Sequence, residues 1–435
     1  MNLFEIILRL SGFRISQAKK ALRDIQRISE KDYETYVKDC RGSIVNHHLQ
    51  HNALYRSFVG KDQFDVWEDI PVMKKSDLQK PLKDRLSKGF TTKNIYVNKT
   101  SGSSGHPFVF AKDKFCHALT WAEILDRFGW FDIDFNSSLQ ARFYGIPLDF
   151  IGYQKERLKD RLSHRYRFPI FDLSDKKLEK YLTIFRRKKF YYINGYTSSI
   201  VLFAKFLKSK NIALTSICPT LKYCLVTSEM LFETDKELME TYLGVPVINE
   251  YGASELDLIA FTNKEGEFIM NSETLFVEIL DENDISVDIG ESGRIIITSL
   301  YNKAHPMIRY DIGDTGILSK KSTLKKPVLK QLIGRTNDVA QLPSGKTVPG
   351  LTFYYVTKSI IEDNGIVKEF IVEQTALDSF NILYVSEREL THQETHEMEK
   401  ALYTYLEDGL HLNFKREQVL DRSNRGKLKQ FISYL

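Results

Sequence analysis

The chain has few cysteines and no long apolar run. Four cysteines in 435 residues are too few for the disulfide framework of a small secreted protein. Cys218 and Cys224 have no companion histidine pair, which argues against a zinc site. We therefore expect reduced, partly buried thiols. No apolar stretch approaches the length of about 18 residues that a membrane-spanning helix needs, so a membrane span is excluded.

Strong net charge is also missing. The formal charge is only +5, and neither basic segment, 155–167 or 186–189, coincides with a nucleic-acid motif. These segments are expected to be solvated faces, and no nucleic-acid partner is expected. Residues 3–10 are apolar but interrupted by charges, which predicts a helix packed on the core, with peripheral membrane contact as the alternative. We expect a cytoplasmic protein, and the sequence leaves its oligomeric state open.

The order of predicted elements indicates an α/β protein with two domains. Residues 1 to about 90 are typical of helices, with a helix N-cap predicted at Ser76. Strands at 191–196, 221–226 and 245–249 then alternate with helices at 197–209 and 235–242, a pattern typical of mostly parallel sheets. Short antiparallel strands are predicted after residue 275. We predict a large multi-subdomain N-terminal domain over 1–334 and a small mobile α+β domain over 335–435.

A loop rich in small residues follows the predicted strand 94–97. It reads Val97-Asn98-Lys99-Thr100-Ser101-Gly102-Ser103-Ser104-Gly105-His106-Pro107. Backbone N–H groups, hydroxyls and little side-chain bulk suit a loop that wraps a polyphosphate, although an ordinary turn has the same composition. It is not a Walker A loop, because His106 stands where that motif needs lysine.

Four further polar segments lie at ends of predicted elements, where open α/β sheets bind ligands. They read Asn249-Glu250-Tyr251-Gly252-Ala253-Ser254-Glu255, Met307-Ile308-Arg309-Tyr310-Asp311-Ile312-Gly313-Asp314, Ile333-Gly334-Arg335-Thr336-Asn337-Asp338 and Arg425-Gly426-Lys427-Leu428-Lys429-Gln430-Phe431. The first combines a stackable ring, a glycine and a carboxylate able to hold Mg²⁺ beside phosphates. Taken singly, these segments also fit a capped turn, a salt-bridged hairpin, an ordinary loop and a basic tail.

In this order the five segments resemble the adenylate-forming superfamily of acyl-CoA synthetases, aryl-CoA ligases, luciferases and adenylation domains. The resemblance spans roughly residues 90–435. The runs Ile193-Asn194-Gly195-Tyr196 and Thr227-Ser228-Glu229-Met230-Leu231 resemble the phenylacetate–CoA ligase-like branch, including members associated with capsular polysaccharide synthesis. The resemblance implies an AMP-forming ligase that uses ATP and Mg²⁺, with CoA as one candidate acceptor.

The resemblance also implies roles for particular residues. The phosphate loop would comprise Thr100, Ser101, Gly102, Ser103, Ser104 and Gly105. Around the nucleotide would lie Ser228, Glu229, Tyr251, Gly252, Ala253, Ser254, Asp314 and Arg335. Glu255 would hold Mg²⁺, and Lys427 would reach the α-phosphate and the carboxylate, with Lys429 as its rival. Asn337 and Asp338 would form the hinge between the domains, where relatives often have aspartate or lysine.

Substrate identity is where the sequence is least informative. The acid pocket is predicted near Phe143, Tyr144, Gly145 and Tyr196, although these rings also fit a plain core. The acceptor is left open among a CoA thiol, an amine and a hydroxyl. Two alternative functions remain at this point: an adenylyltransferase that leaves AMP on an acceptor hydroxyl, and a catalytically inactive relative that serves as a scaffold.

Overall fold

The computed structural model describes residues 3–100, 108–145, 150–170, 173–335, 339–349, 367–421 and 430–435. Within these ranges the α-helices are α1 Leu3–Leu10, α2 Ile15–Gln26, α3 Glu30–His51, α4 Ala53–Val59, α5 Leu82–Arg85, α6 Lys114–Gly129, α7 Phe150–Leu162, α8 Asp175–Arg187, α9 Thr197–Ser209, α10 Leu214–Ile217, α11 Glu233–Leu243 and α12 His392–Tyr405.

The strands alternate with these helices along the middle of the chain. They are β1 Ile95–Lys99, β2 Val109–Asp113, β3 Gln140–Phe143, β4 Arg165–Phe168, β5 Tyr192–Tyr196, β6 Tyr223–Thr227, β7 Val247–Ala253, β8 Asp257–Thr262, β9 Phe268–Met270, β10 Leu275–Leu280, β11 Ser292–Ser299, β12 Tyr310–Leu318, β13 Leu329–Arg335, β14 Val339–Gln341, β15 Thr347–Pro349, β16 Val367–Ala376, β17 Ser379–Ser386, β18 His411–Glu417 and β19 Phe431–Ser433.

The N-terminal region is helical, as predicted. Helix α1 packs Leu8 into a small core with α2 and α6, while Leu10 at its end is exposed. One local prediction is wrong. A 3₁₀ helix covers Lys75–Leu78, and the backbone N–H of Lys74 donates to Asp77 Oδ2 at 2.7 Å. Ser76 therefore lies inside this turn and is not its N-cap, because the Asp77 carboxylate satisfies the N-terminal backbone group instead.

A seven-stranded sheet forms the centre of the molecule, in the order β4-β3-β5-β6-β7-β8-β9. Strands β4, β3, β5, β6 and β7 run parallel, and β8 and β9 add in antiparallel sense. Helices α8, α9 and α11 cover one face over an apolar core, and α6 covers the other. Parallel strands buried on both faces account for the apolar runs in β5, β6 and β7.

A second sheet and a C-terminal sheet complete the described structure. Strands β10-β11-β12-β13 form an antiparallel sheet, as predicted for this region. The C-terminal strands form a mixed sheet in the order β18-β17-β16-β19, covered by α12 over a core of its own. The α/β class with a separate C-terminal α+β region is thereby confirmed. The domain boundary between residues 334 and 335 stays a prediction.

The structure agrees with two expectations from the composition, which concern the thiols and the length of apolar segments. Cys40, Cys116, Cys218 and Cys224 are all free, and all but Cys40 are buried. Within the described ranges, no helix is both long and apolar enough to cross a bilayer.

Candidate active site

The carboxyl ends of β5, β6 and β7 lie at one edge of the central sheet, because these strands are parallel neighbours. Ser228 follows β6 directly and adopts a left-handed backbone with φ of 71°. The next residue, Glu229, accepts a hydrogen bond from the backbone N–H of Ser198 at 2.7 Å. That donor belongs to the first turn of α9, where free N–H groups and the helix dipole favour a carboxylate. The Ser228–Glu229 segment is thus fastened to the start of the neighbouring helix.

Tyr251 connects the central sheet to the antiparallel sheet. Its hydroxyl donates to Asp314 Oδ2 at 2.6 Å, although the two residues lie 63 positions apart. Tyr251 and Asp314 are each 9 % exposed, and Asp314 lies on β12. A hydrogen bond to a carboxylate is shorter and stronger than a neutral one. The bond fixes the Asp314 carboxylate beside the turn that follows β7, which brings two of the sequence motifs together.

Glu255 is held by a second bond between the same two sheets. The Tyr310 hydroxyl donates to Glu255 Oε1 at 3.2 Å, and Glu255 is 8 % exposed. A carboxylate has two oxygens with several acceptor positions, so one hydrogen bond leaves most of this capacity for a ligand. Among the residues that the structure describes, no group of three or more His, Cys, Asp or Glu side chains forms a metal site. A lone carboxylate fits Mg²⁺, which binds through one or two carboxylates together with substrate phosphates.

The turn between Tyr251 and Glu255 is built around Gly252. A Cβ atom at this position would lie 2.4 Å from the carbonyl oxygen of Asp257, so no other residue fits without a backbone shift. Ala253 is half-buried and Ser254 is exposed. The turn is consequently tight, with Ser254 facing solvent and Glu255 facing inward.

A buried ion pair lies next to the same turn. Asp257, at the start of β8, forms an ion pair with Lys112 of β2 and accepts a bond from Thr120 Oγ1 at 2.6 Å. The side chain of Lys112 is 3 % exposed and that of Asp257 is 19 % exposed. Asp257 adopts a φ of 62°, which asparagine and aspartate tolerate better than other non-glycine residues. The pair joins the β1–β2 hairpin to the backbone two residues after Glu255.

Thr100 closes the base of the predicted phosphate loop. Its backbone N–H donates to the Phe108 carbonyl at 2.9 Å, and its Oγ1 accepts from the Phe108 N–H at 3.0 Å. The hydroxyl of Thr100 therefore helps to fix the two ends of the loop, and its part in phosphate binding stays a prediction. The loop residues Ser101, Gly102, Ser103, Ser104 and Gly105 lie outside the described residues.

Several other predicted residues also lie outside the described ranges: Asn337, Asp338, Lys427 and Lys429. Arg335 is described only in its backbone, at the end of β13. There it stands directly opposite Asp314 in the register of β12 and β13. The roles of Arg335 and Lys427 and of the hinge stay predictions.

The rings predicted to line the acid pocket, Phe143, Tyr144 and Tyr196, pack in one apolar cluster at the end of β3 and β5. Phe143 is fully buried under α8 and α9, which agrees with the plain-core alternative, and its place in the pocket stays a prediction. Successive strand residues point to opposite faces, so Arg142 occupies the face that Phe143 does not. Tyr144 follows β3, and its ring lies 4.6 Å from the ring of Tyr196. The Gly145 carbonyl accepts a bond from Arg167 Nη1 at 2.7 Å.

Sequence reasoning missed four residues around this site: Arg142, Lys112, Glu250 and Asp257. The Cζ atom of Arg142 lies 4.0 Å from the centre of the Tyr144 ring. Glu250 Oε1 accepts from Thr227 Oγ1 at 3.0 Å, and burial raises the pKa of Glu250. Glu250 lies inside the recognised Asn249–Glu255 segment but was given no role, and Asp257 follows that segment by two residues. A charged residue inside an apolar strand was the available signal for Arg142 and Glu250. Nothing local marks Lys112 as the partner of Asp257.

Comparison with curated proteins gives one distant relative. The chain is 24 % identical over 331 residues to Protein CapK of Staphylococcus aureus, covering 73 % of this chain and 68 % of that protein. No family model matches the chain.

Comparison with solved structures gives similarity over a larger share of the chain. A 2-hydroxyisobutyryl-CoA ligase in the postadenylation state, bound to an acyl-AMP ligand, superposes with a TM-score of 0.71 at 17 % identity, over 93 % of this chain and 90 % of that one. The amide bond synthetase McbA from Marinactinospora thermotolerans gives a TM-score of 0.52 at 14 % identity, over 77 % and 68 %. Likenesses at such low sequence identity show a shared fold, and they do not show a shared activity. The chain therefore has the fold of the adenylate-forming CoA ligases that its motifs resemble.

Proposed function

We propose that this protein is an AMP-forming ligase that activates a carboxylic acid with ATP. The two hydrogen bonds between sheets, Tyr251 to Asp314 and Tyr310 to Glu255, are the main support for this proposal. They bring carboxylates from two separate motifs to the carboxyl edge of a parallel sheet, where nucleotides bind in open α/β folds. An inactive scaffold would have no need to keep two buried carboxylates oriented in this way.

In the first half-reaction a carboxylate oxygen of the acid attacks the α-phosphorus of ATP. The bond from that phosphorus to the bridging oxygen breaks, and pyrophosphate leaves with both electrons. Such a displacement needs positioning and charge neutralisation more than covalent help from the protein. We propose that Asp314 accepts hydrogen bonds from the ribose hydroxyls and that Tyr251 lies near the adenine. The 100–105 loop is proposed to bind the β- and γ-phosphates.

Glu255 is the residue that would hold Mg²⁺, and the ion would neutralise charge on the departing pyrophosphate. The inward position of Glu255 at the end of β7 supports this assignment. Lys427 is proposed to stabilise charge between the attacking carboxylate and the α-phosphate, with Arg335 assisting at the ribose or phosphates.

In the second half-reaction an acceptor attacks the acyl carbon and AMP leaves. We propose that the domain 335–435 turns about Asn337 and Asp338 between the two steps. The acceptor is a CoA thiol, an amine or a hydroxyl. The distant likeness to CapK supports a place in capsular or other surface polysaccharide synthesis, within the phenylacetate–CoA ligase-like branch. The use of ATP implies a cytoplasmic enzyme.

Lys427 offers the sharpest test of the first half-reaction. Lys427→Ala is expected to lower acid-dependent ATP–pyrophosphate exchange by about 100-fold or more, since it removes charge stabilisation from the transition state. Lys429→Ala is the matched control, because it removes a neighbouring lysine and only one of the two is proposed to act. Exchange near the wild-type rate in Lys427→Ala would remove Lys427 from this role.

The proposed activity itself is tested by a pyrophosphate-release screen across carboxylic acids, with and without CoA. Acid-dependent release followed by mass detection of an acyl product supports a ligase. AMP retained on an acceptor hydroxyl identifies the adenylyltransferase alternative instead. Failure to bind ATP in calorimetry would revive the scaffold alternative.

A further inference from the structure

Arg142 differs from the other strand arginines beside it, because within the described part of the chain its Nε has no hydrogen-bond partner. On the neighbouring strand β4, Arg165 bonds to Asp160 at 2.6 Å and Arg167 bonds to Asp160 at 2.8 Å. Arg167 also bonds to Glu156 and to the Gly145 carbonyl. By contrast, Nε of Arg142 is shielded from solvent and has no partner. An unsatisfied buried donor is costly, so a guanidinium in this state points to a group that the protein alone does not supply.

The guanidinium of Arg142 is directed toward the carboxyl edge of the central sheet. Its Cζ atom lies over the ring of Tyr144, two residues further along the chain, and that ring packs against Tyr196 at the end of β5. This edge is also where Ser228 and the Tyr251–Glu255 turn lie. Arg142 therefore reaches the region proposed for the acid substrate.

Arg142 and Glu250 lie on different strands of the central sheet. Strand β3 is separated from β7 by β5 and β6, so their backbones lie about 14 Å apart at a spacing of about 4.8 Å per strand. Burial raises the pKa of Glu250 although the charge of Arg142 opposes this, and the two side chains form no ion pair. Thr227, on β6, satisfies one oxygen of Glu250 at 3.0 Å. Glu250 therefore does not satisfy the guanidinium of Arg142.

We propose that the acid activated by this protein carries a second anionic group, and that Arg142 binds it. This inference rests on the proposed function, since it assigns the far end of the acyl substrate in the same site. A guanidinium recognises a carboxylate or phosphate through paired N–H donors, so a dicarboxylic or phosphorylated acid fits and a plain fatty or aryl acid leaves the donors unpaired. Arg142 is thus a specificity-determining residue.

The test compares acids of equal carbon number with and without a second carboxylate. The pairs are butanedioic and butanoic acid, hexanedioic and hexanoic acid, and benzene-1,4-dicarboxylic and 4-methylbenzoic acid, each assayed by pyrophosphate release. Wild-type protein is expected to show a kcat/KM about 10- to 100-fold higher for the diacid of at least one pair. Arg142→Met is expected to abolish this preference, and Arg142→Lys, which keeps a cation, is expected to lose less of it. Arg186→Met, at an exposed position in the last turn of α8, is the matched control.

A preference for the plain acids in wild-type protein, or an unchanged preference in Arg142→Met, would overturn the inference. Calorimetric binding of the diacids keeps the two proposals separate. Diacid binding that is lost in Arg142→Met supports the Arg142 site even when no pyrophosphate is released, and that result refutes the proposed ligase activity alone. Pyrophosphate release with plain acids only refutes the Arg142 site alone.

Discussion

The Lys112–Asp257 ion pair offers the most informative perturbation of stability, because it lies under the turn that carries Glu255. Lys112 is almost fully buried, and Asp257 keeps only Thr120 as a second described partner. Removing one member of a buried pair leaves an uncompensated charge and costs about 3–5 kcal/mol. Since the Asp257 side chain is 19 % exposed, we expect the low end, about 3 kcal/mol, for Lys112→Met.

The matched variants are Asp257→Asn, which tolerates the left-handed backbone at this position, and the double variant. Removing both charges leaves no unpaired ion, so the double variant is expected to lose no more stability than either single variant. That corresponds to a coupling energy of about 3 kcal/mol. Burial lowers the pKa of Lys112 to about 8. In Asp257→Asn the unpaired amine is therefore expected to release its proton at pH 9, and the loss of stability should be smaller there than at pH 7.

Urea unfolding followed by tryptophan fluorescence is the appropriate assay. The three tryptophans, Trp67, Trp121 and Trp130, all lie in the N-terminal region. The signal therefore reports the unfolding of that region and not of the C-terminal sheet. Two results would refute the reasoning: single-variant losses below about 1 kcal/mol, or losses that simply add in the double variant.

Two further predictions test other parts of the fold. Gly195→Ala is expected to lower the free energy of unfolding by about 1–3 kcal/mol or more, because the added Cβ would lie 2.6 Å from both Cβ and the carbonyl oxygen of Phe143. Gly42→Ala is the control, since Gly42 has open space around it, and this variant should be neutral or stabilising. Equal melting temperatures for the two variants would contradict the predicted clash. Burial lowers the pKa of His117 to about 3, so the folded protein keeps this ring neutral while the unfolded chain takes up a proton below about pH 6.5. Stability is thus lost as the pH falls below that value, by about 1.4 kcal/mol at pH 5.5 for one such histidine. His117→Phe should show a correspondingly smaller drop in unfolding free energy between pH 7.5 and 5.5, and an equal drop would refute the assignment.

Local pattern predicted the regular elements well. The helix predicted at 197–209 is α9 with those bounds, and the strand predicted at 191–196 is β5 at Tyr192–Tyr196. Periodicity and turn residues act over a few positions, so they can be read without knowing the rest of the fold. The same local patterns could not show that Phe143 is fully buried under α8 and α9, because that depends on how the helices pack on the sheet. They also missed Asp77 as the residue that caps its own turn.

The sequence by itself determined the order of the elements and the motifs, since each motif is a short run with its own turn chemistry. Only the tertiary structure decided which side chains meet. Tyr251 reaches Asp314 across 63 positions, and Lys112 reaches Asp257 across 145. Such pairs depend on how two sheets and a hairpin pack together, which no local pattern encodes. Arg142 shows the same limit, because only the folded sheet reveals that Arg165 and Arg167 have partners while Nε of Arg142 has none among the described residues.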